Sequence, residues 1–290
     1  TDAINFSTEN SGGTTTYAWT NNNTSIGLGA SGDGNIPSFT AIAGTTSETA
    51  TIVVTPTFTN NDVQCTGPTE TFTITVNPTA QVNEVASQVI CNAESTDEIV
   101  FSTNNTDGVT TYEWVNNNTA TGLDASGDGN IPSFVGIAGI SPEVSTITVT
   151  PTYTNNEINC TGPSFTFSIT VNPTPTMDVP PNIEVCNGEE VVIDFTTENT
   201  GGVTTYEWSI INGPEIGLPD STTDITDSDS DITFTASNPD SDPRVVIVSV
   251  TPIFTNNGVE CTTSPAETFT ITVNPEPQID NFTETICEGD

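Results

Sequence analysis

The side chains with the clearest chemistry in this chain are six cysteines, at positions 65, 91, 160, 186, 261 and 287. Their spacing is regular: Cys65 is followed by Cys91 after 26 residues, and the same step recurs twice further along the chain. In an exported protein such cysteines normally form disulfides. A regular set of cysteines therefore predicts a regular set of cross-links.

Carboxylates are the second group that could do chemistry. Asp227, Asp229 and Asp231 alternate with serines, so an extended backbone would place all three on one side, and Asp124 and Asp128 flank a glycine-rich turn. Oxygen ligands in a flexible loop suit Ca²⁺. The alternative is a solvated acidic loop that keeps the protein soluble. These five residues are the candidate calcium ligands, and calcium is the only cofactor that the sequence indicates.

The composition excludes several classes of function. The chain has 290 residues with 38 Asp and Glu, a single Arg or Lys and no His, and its formal net charge is −37. Nucleic acid needs cationic side chains, so it is not expected as a partner. Without His the commonest general base is missing, and no catalytic residues stand out, so we expect no enzyme. The longest mainly apolar stretch, 245–250 with one serine, is too short to insert into a membrane.

Three long repeats organise the chain. A Tyr-x-Trp pair recurs at 17/19, 112/114 and 206/208, and Gly-Asp-Gly-Asn-Ile-Pro-Ser-Phe is identical at 32–39 and 127–134. Each repeat closes with a hairpin whose second arm alternates apolar residues with Thr or Ser before Asn-Pro, as in 165–173. Alternation of period 2 predicts half-buried strands. A period of about 95 residues is the size of one β-sandwich domain.

The fold prediction is therefore all-β, with tandem immunoglobulin-like sandwiches arranged as an extended rod. Residues of the Tyr-x-Trp pairs share one strand face and are expected in the cores: Tyr17, Trp19, Tyr112, Trp114, Tyr206 and Trp208. Pro56, Pro151 and Pro252 interrupt strands and cannot donate to a ladder, so each marks an edge position or a β-bulge, and the alternative is that one strand ends there and another begins; we favour the bulge. The turn of the closing hairpin is assigned to Asn155 and Asn156 in the second repeat.

Proline-rich links divide the chain into four parts. We predict repeat 1 at 1–78 without its first strand, repeat 2 at 79–173, repeat 3 at 174–275, and the first strand of a fourth repeat at 276–290. The chain begins inside a repeat and shows no signal peptide, so we interpret it as an internal piece of a longer exported protein.

These motifs resemble the PKD-like, immunoglobulin-like tandem repeats of large Bacteroidota surface proteins, a group that includes gliding-type adhesins. The resemblance rests on Tyr-x-Trp, the Cys-Asn-Gly turn at 186–188, the octapeptide and Thr-Phe-Thr-Ile-Thr-Val-Asn-Pro at 268–275. It implies an exported, extracellular cell-surface fibre or adhesin stalk without catalytic residues, whose partners are the neighbouring repeats. The alternative is an adhesive module whose acidic loops bind surface glycans or other surface proteins, with or without calcium.

Three disulfide registers remain open. In the staggered register, the first-strand cysteine of one repeat bonds to the hairpin cysteine of the next. Strand direction favours this register, because the first strand ends at the far end of its own repeat, next to the hairpin of the following repeat. A disulfide needs Cα atoms within about 7 Å, and a strand of this length separates its ends by roughly 30 Å. The pairings are staggered (Cys91–Cys261), within one repeat (Cys91–Cys160, Cys186–Cys261), or sequential (Cys65–Cys91, Cys160–Cys186, Cys261–Cys287), and free thiols are the remaining alternative.

Overall fold

The computed structural model describes residues 1–219, 225–226, 232–262, 266–279, 281 and 283–286. These residues form an all-β protein of immunoglobulin-like sandwiches, which confirms the predicted fold class. The extended rod stays a prediction. Within the described residues no helix is long and apolar enough to cross a membrane.

Repeat 1 is built on a long central strand that pairs with three others in antiparallel ladders, and the remaining strand pairs with the Tyr-x-Trp strand. A short 3-10 turn, Thr24–Ile26, follows the Tyr-x-Trp strand. The strands are β1 (Thr14–Asn21), β2 (Ser31–Asp33), β3 (Glu48–Asn60), β4 (Val63–Thr66) and β5 (Glu70–Val76).

Repeat 2 has the same ladder and one additional strand. The extra strand, β6, lies parallel to the last strand of the repeat, with Cys91 opposite Asn172. The sheet order is therefore β6-β11-β9-β7-β8, with β10 also on β9. The strands are β6 (Gln88–Cys91), β7 (Val109–Asn116), β8 (Ser126–Asp128), β9 (Glu143–Asn155), β10 (Ile158–Thr161) and β11 (Phe165–Asn172).

Repeat 3 repeats this order as β12-β19-β17-β14-β15, with β18 on β17. Its second sheet is a separate two-stranded ladder of β13 and β16, which in repeats 1 and 2 is reduced to single bridges such as Ile99–Ile131. The strands are β12 (Ile183–Cys186), β13 (Glu190–Ile193), β14 (Val203–Asn212), β15 (Ile225–Thr226), β16 (Ile232–Thr235), β17 (Arg244–Asn256), β18 (Val259–Thr262) and β19 (Glu267–Asn274).

The Tyr-x-Trp strands supply the largest side chains of each core. Trp19, Trp114 and Trp208 are each 5% exposed, and Tyr206 is fully buried. Tyr17 and Tyr112 are half-buried and pack against the cores of their repeats. Each tyrosine also contacts a phenylalanine of the opposite layer, as in the Phe101–Tyr112 pair at 5.4 Å. The two layers of the sandwich are thus joined through aromatic rings.

The first glycine of the Gly-Asp-Gly motif leaves the space that the tryptophan ring occupies. Gly127 lies opposite Trp114 in the β7–β8 ladder, and a Cβ on Gly127 would overlap the indole ring. Gly32 stands in the same relation to Trp19 in repeat 1. The second glycine of the motif, Gly129, adopts φ 69°, which lets the chain turn away after β8.

The prolines lie in central strands without a bulge, so the expectation of a bulge was wrong. β3 runs through Pro56 in regular register with β1, where Tyr17 is its partner. On the other side, β3 pairs with β5 as far as Val54 and with β4 from Thr57 onward. The proline sits where the partner changes and no ladder N–H is required. Pro151 and Pro252 occupy the same place in repeats 2 and 3.

The hairpin turn lies one residue later than predicted. β9 includes Asn155, and the turn is formed by Asn156 and Glu157, with φ of 48° and 63°. Two successive positive φ values are typical of the tight turns that join twisted antiparallel strands. Repeat 3 has Asn257-Gly258 here, the sequence that this turn favours.

Candidate functional site

The two junctions between repeats are the candidate functional site. At each junction the last strand of one repeat ends at the tip of the closing hairpin of the next. Between repeats 1 and 2, the Asn77 side chain donates a hydrogen bond of 3.1 Å to the carbonyl of Asn155. The Asn155 side chain returns one of 3.2 Å to Asn77 Oδ1 and donates another of 2.8 Å to Ser47 Oγ.

The junction between repeats 2 and 3 repeats this arrangement. The Asn172 side chain donates to the carbonyl of Asn256 at 3.2 Å, and the Asn256 side chain donates to Asn172 Oδ1 at 2.9 Å. Asn172 is fully buried. The same amide pair at two successive junctions indicates that the relation between neighbouring repeats is specified by sequence.

A disulfide joins Cys91 of repeat 2 to Cys261 of repeat 3, with Cα atoms 5.6 Å apart. Cys91 ends the strand that lies beside Asn172, and Cys261 lies on the hairpin whose tip carries Asn256. The bond therefore follows the staggered register, and it closes the junction already bridged by the two asparagines.

The other described cysteines are free. Cys65 and Cys186 are exposed and Cys160 is half-buried, so neither Cys91–Cys160 nor Cys186–Cys261 forms, and the sequential pairs Cys65–Cys91 and Cys160–Cys186 are also excluded. The within-repeat alternatives fail because the first strand runs parallel to the last one and ends at the opposite pole from its own hairpin tip. Cys287 lies outside the described residues.

Hairpin aromatics provide a second element of the junction. The fully buried Tyr153 places its hydroxyl 3.1 Å from Ser47 Oγ of repeat 1 and donates to the carbonyl of Thr106 at 2.8 Å. Phe254 is fully buried at the same place in repeat 3, whereas Phe58 in repeat 1 is only half-buried. Phe58, Tyr153 and Phe254 share strand parity with Val54, Val149 and Val250, which predicts that they point inward. Tyr153 is buried as predicted, and its hydroxyl also reaches the neighbouring repeat.

A backbone contact fixes the second side of each junction. The amide of Thr106 donates to the carbonyl of Thr45 at 3.0 Å, and that of Thr200 donates to the carbonyl of Ile140 at the same distance. The Asn199 side chain adds a bond of 3.3 Å to Ile140. Each junction is thus held at two separated places, and contacts at two places restrict bending more than one contact does.

The structure brings no metal site together in the part of the chain that it describes. Asp124 and Asp128 are both exposed, and among described residues no group of three or more His, Cys, Asp and Glu could hold a metal ion. Asp128 lies opposite Glu113 in the β7–β8 ladder, so two like charges face each other there. Asp227, Asp229 and Asp231 lie outside the described residues.

Two further electrostatic features concern single side chains. Arg244 donates to Asp240 at 2.7 Å and to the carbonyl of Glu215 at 2.6 Å, which ties the start of β17 to the middle of repeat 3. Burial raises the pKa of the Tyr112 hydroxyl above its ordinary value, and a hydrogen bond with Thr103 partly opposes this.

The junction asparagines were missed by the sequence analysis, although a signal was present. The Asn of the Val-Asn-Pro ending recurs at positions 77, 172 and 274, and the hairpin Asn-Asn recurs at 60–61, 155–156 and 256–257. In sequence, a polar residue that recurs before a proline indicates only the end of a strand. Only the structure shows that the two recurring asparagines meet.

Comparisons with known proteins agree with this description. A family model described as a PKD-like domain matches residues 183–277. The comparison with curated proteins found no match.

Among solved structures, three N-terminal domains of the bacteriophage RB49 Highly Immunogenic Outer Capsid protein are similar at 12% identity and a TM-score of 0.45, covering 94% of this chain and 92% of that one. Protocadherin Gamma B2 extracellular cadherin domains 3–6 give 11% identity and a TM-score of 0.41, with 90% of this chain and 68% of that one covered. Mouse cadherin-23 EC22–24 gives 12% identity and a TM-score of 0.35, with 90% and 86% covered.

The matched region is repeat 3 from the start of β12, and repeat 2 shares its sheet order strand for strand. Repeat 1 shares the same order apart from the first strand. The match supports a PKD-like domain in repeat 3, and the common topology shows that repeats 1 and 2 share its immunoglobulin-like fold.

Proposed function

We propose that this chain is a segment of the stalk of a cell-surface adhesin or fibre, in which the repeats act as stiff spacers. The observation that carries the proposal is the disulfide between Cys91 and Cys261, which joins two different repeats. A disulfide within one domain protects that domain alone. A disulfide between neighbouring repeats fixes the position of one repeat relative to the other. A spacer of constant length requires such fixed positions.

The hydrogen bonds at the junctions support the same role. Each junction has an asparagine pair on one side and a backbone contact on the other, so the repeats are held at two points. Proline-rich links such as 173–175 are semi-rigid. The net charge of −37 adds repulsion between neighbouring surfaces, over a Debye length of about 8 Å in physiological salt.

The location of such a stalk follows from its chemistry. Disulfides persist in oxidising compartments, and the described part of the chain contains one. We therefore infer that the protein is exported and acts outside the cell, at the cell surface. Its first partners in this role are its own neighbouring repeats.

Small-angle X-ray scattering tests the proposal. Three modules of about 40 Å each, from central strands of 13 residues at about 3.3 Å per residue, predict a maximum dimension on the order of 120 Å. The oxidised protein and the Cys91→Ser variant should both be extended, and the variant should show a broader distribution of distances. A compact particle, or a variant indistinguishable from the parent, would contradict the spacer function.

A further inference from the structure

We propose that the disulfide between Cys91 and Cys261 selects among reducing thiols by their charge, so that an anionic thiol such as glutathione opens it slowly. The carboxylate of Glu94 and the burial of Cys261 are responsible. Reduction by a thiol requires a thiolate to reach one of the two sulfurs, so both access and charge decide its rate. The inference concerns the chemistry of this bond and does not depend on the spacer function.

Only one sulfur of the disulfide is accessible to a thiol. Cys261 is 1% exposed, and it lies on the core face of β18, opposite the fully buried Phe254. Cys91 is half-buried at the end of β6. Exchange depends on which sulfur is within reach of the incoming thiolate. Attack therefore occurs at the Cys91 sulfur, and Cys261 is the leaving group.

The turn that follows β6 holds a carboxylate against Cys91. The amide of Cys91 donates to Oε2 of Glu94 at 3.1 Å, and the amide of Glu94 donates to the carbonyl of Cys91 at 3.1 Å. These two hydrogen bonds close a tight turn over residues 91–94. The negative charge of Glu94 is therefore fixed beside the residue whose sulfur is attacked.

Two further hydrogen bonds attach this turn to the body of repeat 2. The amide of Asn92 donates to the carbonyl of Asn172 at 2.8 Å, and the amide of Ala138 donates to Asn92 Oδ1 at 2.9 Å. The first bond joins the turn to the end of β11, and the second joins it to the segment before β9. The turn is thus held from two sides by groups that take no part in the disulfide.

Repeat 3 contains the same turn without a disulfide. The amide of Cys186 donates to Oε2 of Glu189 at 2.9 Å, and the amide of Glu189 donates to the carbonyl of Cys186 at 3.2 Å. Cys186 is a free thiol in this structure. The hydrogen bonds of the turn therefore set the position of the carboxylate, and Glu94 stays beside Cys91 while the disulfide opens.

The remaining surroundings of the Cys91 sulfur do not compensate the charge of Glu94. The carbonyl oxygen of Glu260, the negative end of a peptide dipole, lies 3.6 Å from the sulfur. The single cationic side chain of the protein, Arg244, begins β17, whereas Phe254 lies near the end of that strand. At about 3.3 Å per residue, the two are roughly 30 Å apart. A thiolate that approaches Cys91 therefore meets a negative potential.

Reduction proceeds in two exchange steps. A thiolate attacks the Cys91 sulfur, the bond between the two cysteines breaks, and its electron pair leaves on the Cys261 sulfur, which then takes a proton from water. A second thiolate attacks the outer sulfur of the mixed disulfide and releases Cys91 as a thiolate, which is protonated in turn. Two small thiols are oxidised to one small disulfide, and the protein disulfide is reduced to two thiols.

The first step places negative charge where the site opposes it. The leaving sulfur of Cys261 is buried, away from the water that would stabilise a thiolate. The incoming thiolate is repelled by Glu94, and this repulsion grows with the charge of the thiol. Glutathione thiolate is doubly negative, 2-mercaptoethanol thiolate is singly negative, and cysteamine thiolate is neutral overall because of its ammonium group. Protection by Glu94 therefore decreases in that order.

The test measures how fast each of these three thiols reduces the full chain, in the parent and in Glu94→Gln. Glutamine keeps an oxygen acceptor for the Cys91 amide and removes the charge. Comparing parent and variant with one thiol cancels the intrinsic reactivity of that thiol. In low salt, Glu94→Gln should accelerate reduction by glutathione about fivefold and by 2-mercaptoethanol about twofold, and it should leave reduction by cysteamine unchanged.

Mass spectrometry after rapid alkylation measures the rates and locates the attack. The free thiols are alkylated under native conditions before the reductant is added, so that only Cys91 and Cys261 react. The mixed disulfide should be trapped on Cys91. A mixed disulfide trapped mainly on Cys261 would overturn the assignment of the attacked sulfur.

Two controls separate charge from a change in structure. Glu113→Gln removes the same charge from an exposed site in the middle of β7 and should alter none of the three rates. At 1 M salt, where the Debye length is about 3 Å, the effect of Glu94→Gln on glutathione should shrink toward none.

Equal acceleration of all three thiols by Glu94→Gln would mean that the substitution only loosens the turn. No acceleration of glutathione would mean that burial alone protects the bond. Either result overturns the proposal. A compact particle in solution scattering would remove the spacer function and leave this inference standing.

Discussion

Asn172 and Asn256 exchange two hydrogen bonds across the boundary between repeats 2 and 3, at 3.2 and 2.9 Å. Each side chain uses its amide group as a donor, and Asn172 also accepts. Because Asn172 is fully buried, its polar atoms have no access to bulk water. The end of β11 at Asn172 therefore makes a specific contact with the next repeat.

Replacing this residue should destabilise the junction. Asn172→Ala would leave the Asn256 amide without its acceptor, at a cost of about 1–3 kcal/mol. Calorimetric unfolding in reductant, where the disulfide is absent, measures the change. The matched variant Asn77→Ala acts at the half-buried, first junction and should cost less. A larger effect of Asn77→Ala would show that burial does not determine the contribution of the pair.

The disulfide should redirect mechanical load. When the chain is pulled from its ends, force passes from Cys91 directly to Cys261, which are 170 residues apart in sequence. The disulfide therefore shields the chain between the two cysteines from the force. At about 3.4 Å per residue, a separation of 170 residues corresponds to roughly 580 Å of extended chain. Single-molecule force spectroscopy should show that much additional extension after reduction. The Cys91→Ser variant should give the long extension in both conditions, and identical traces for the parent would contradict this load path.

The glycine beneath Trp114 should tolerate no side chain. Gly127→Ala places a Cβ inside the indole ring and should destabilise repeat 2 by about 1–3 kcal/mol through overpacking. Gly139→Ala is the matched control, because a Cβ there meets nothing within 4 Å. Urea denaturation measures both. Equal midpoints for the two variants would mean that the strand moves to accommodate the methyl group.

Tyr112 should make stability depend on pH in the alkaline range. Its pKa is raised by burial above 10.0, so the folded state holds the proton more tightly than the unfolded state does. The contribution is fully present below the unfolded pKa and is lost as pH rises through the folded pKa. Urea midpoints of thiol-alkylated protein should fall above about pH 10. Tyr112→Phe should reduce the fall, and an unchanged profile would contradict the assignment to this residue.

Calcium binding in repeat 3 stays a prediction. Asp227, Asp229 and Asp231 repel one another unless a cation lies between them, so Ca²⁺ should bind there if it binds anywhere in the chain. Isothermal titration calorimetry of the parent should show heat that Asp229→Asn reduces. Absence of heat from the parent, or equal heat from both proteins, would rule out this site.

Much of the fold was predictable because strand patterns are local. Alternation of period 2 located the Tyr-x-Trp strands and the closing hairpins, and it placed Trp19, Trp114 and Trp208 on the buried face. The recurrence of these motifs defined the repeats. Strand direction also favoured Cys91 with Cys261, because direction alone decides which ends can approach each other.

The sequence was misleading where a residue's partner lies in another strand or another repeat. The sequence predicted a bulge at Pro56, because it does not show that β3 pairs with two different strands, β5 before the proline and β4 after it, along the same edge. Tyr153 reads as an ordinary inward residue, although its hydroxyl contacts Ser47 of the previous repeat. In both cases the local pattern is correct and the interpretation depends on a neighbour that is distant along the chain.

The sequence by itself determined the all-β class, the repeat period and the buried face of each main strand, because these depend on side-chain alternation within a few residues. Tertiary structure decided which strand completes each sheet, which asparagines meet at the junctions and which cysteines come within bonding distance. Those contacts join residues between 78 and 170 positions apart. They depend on how neighbouring sandwiches are positioned, which follows from the packing of whole sheets and from no single segment.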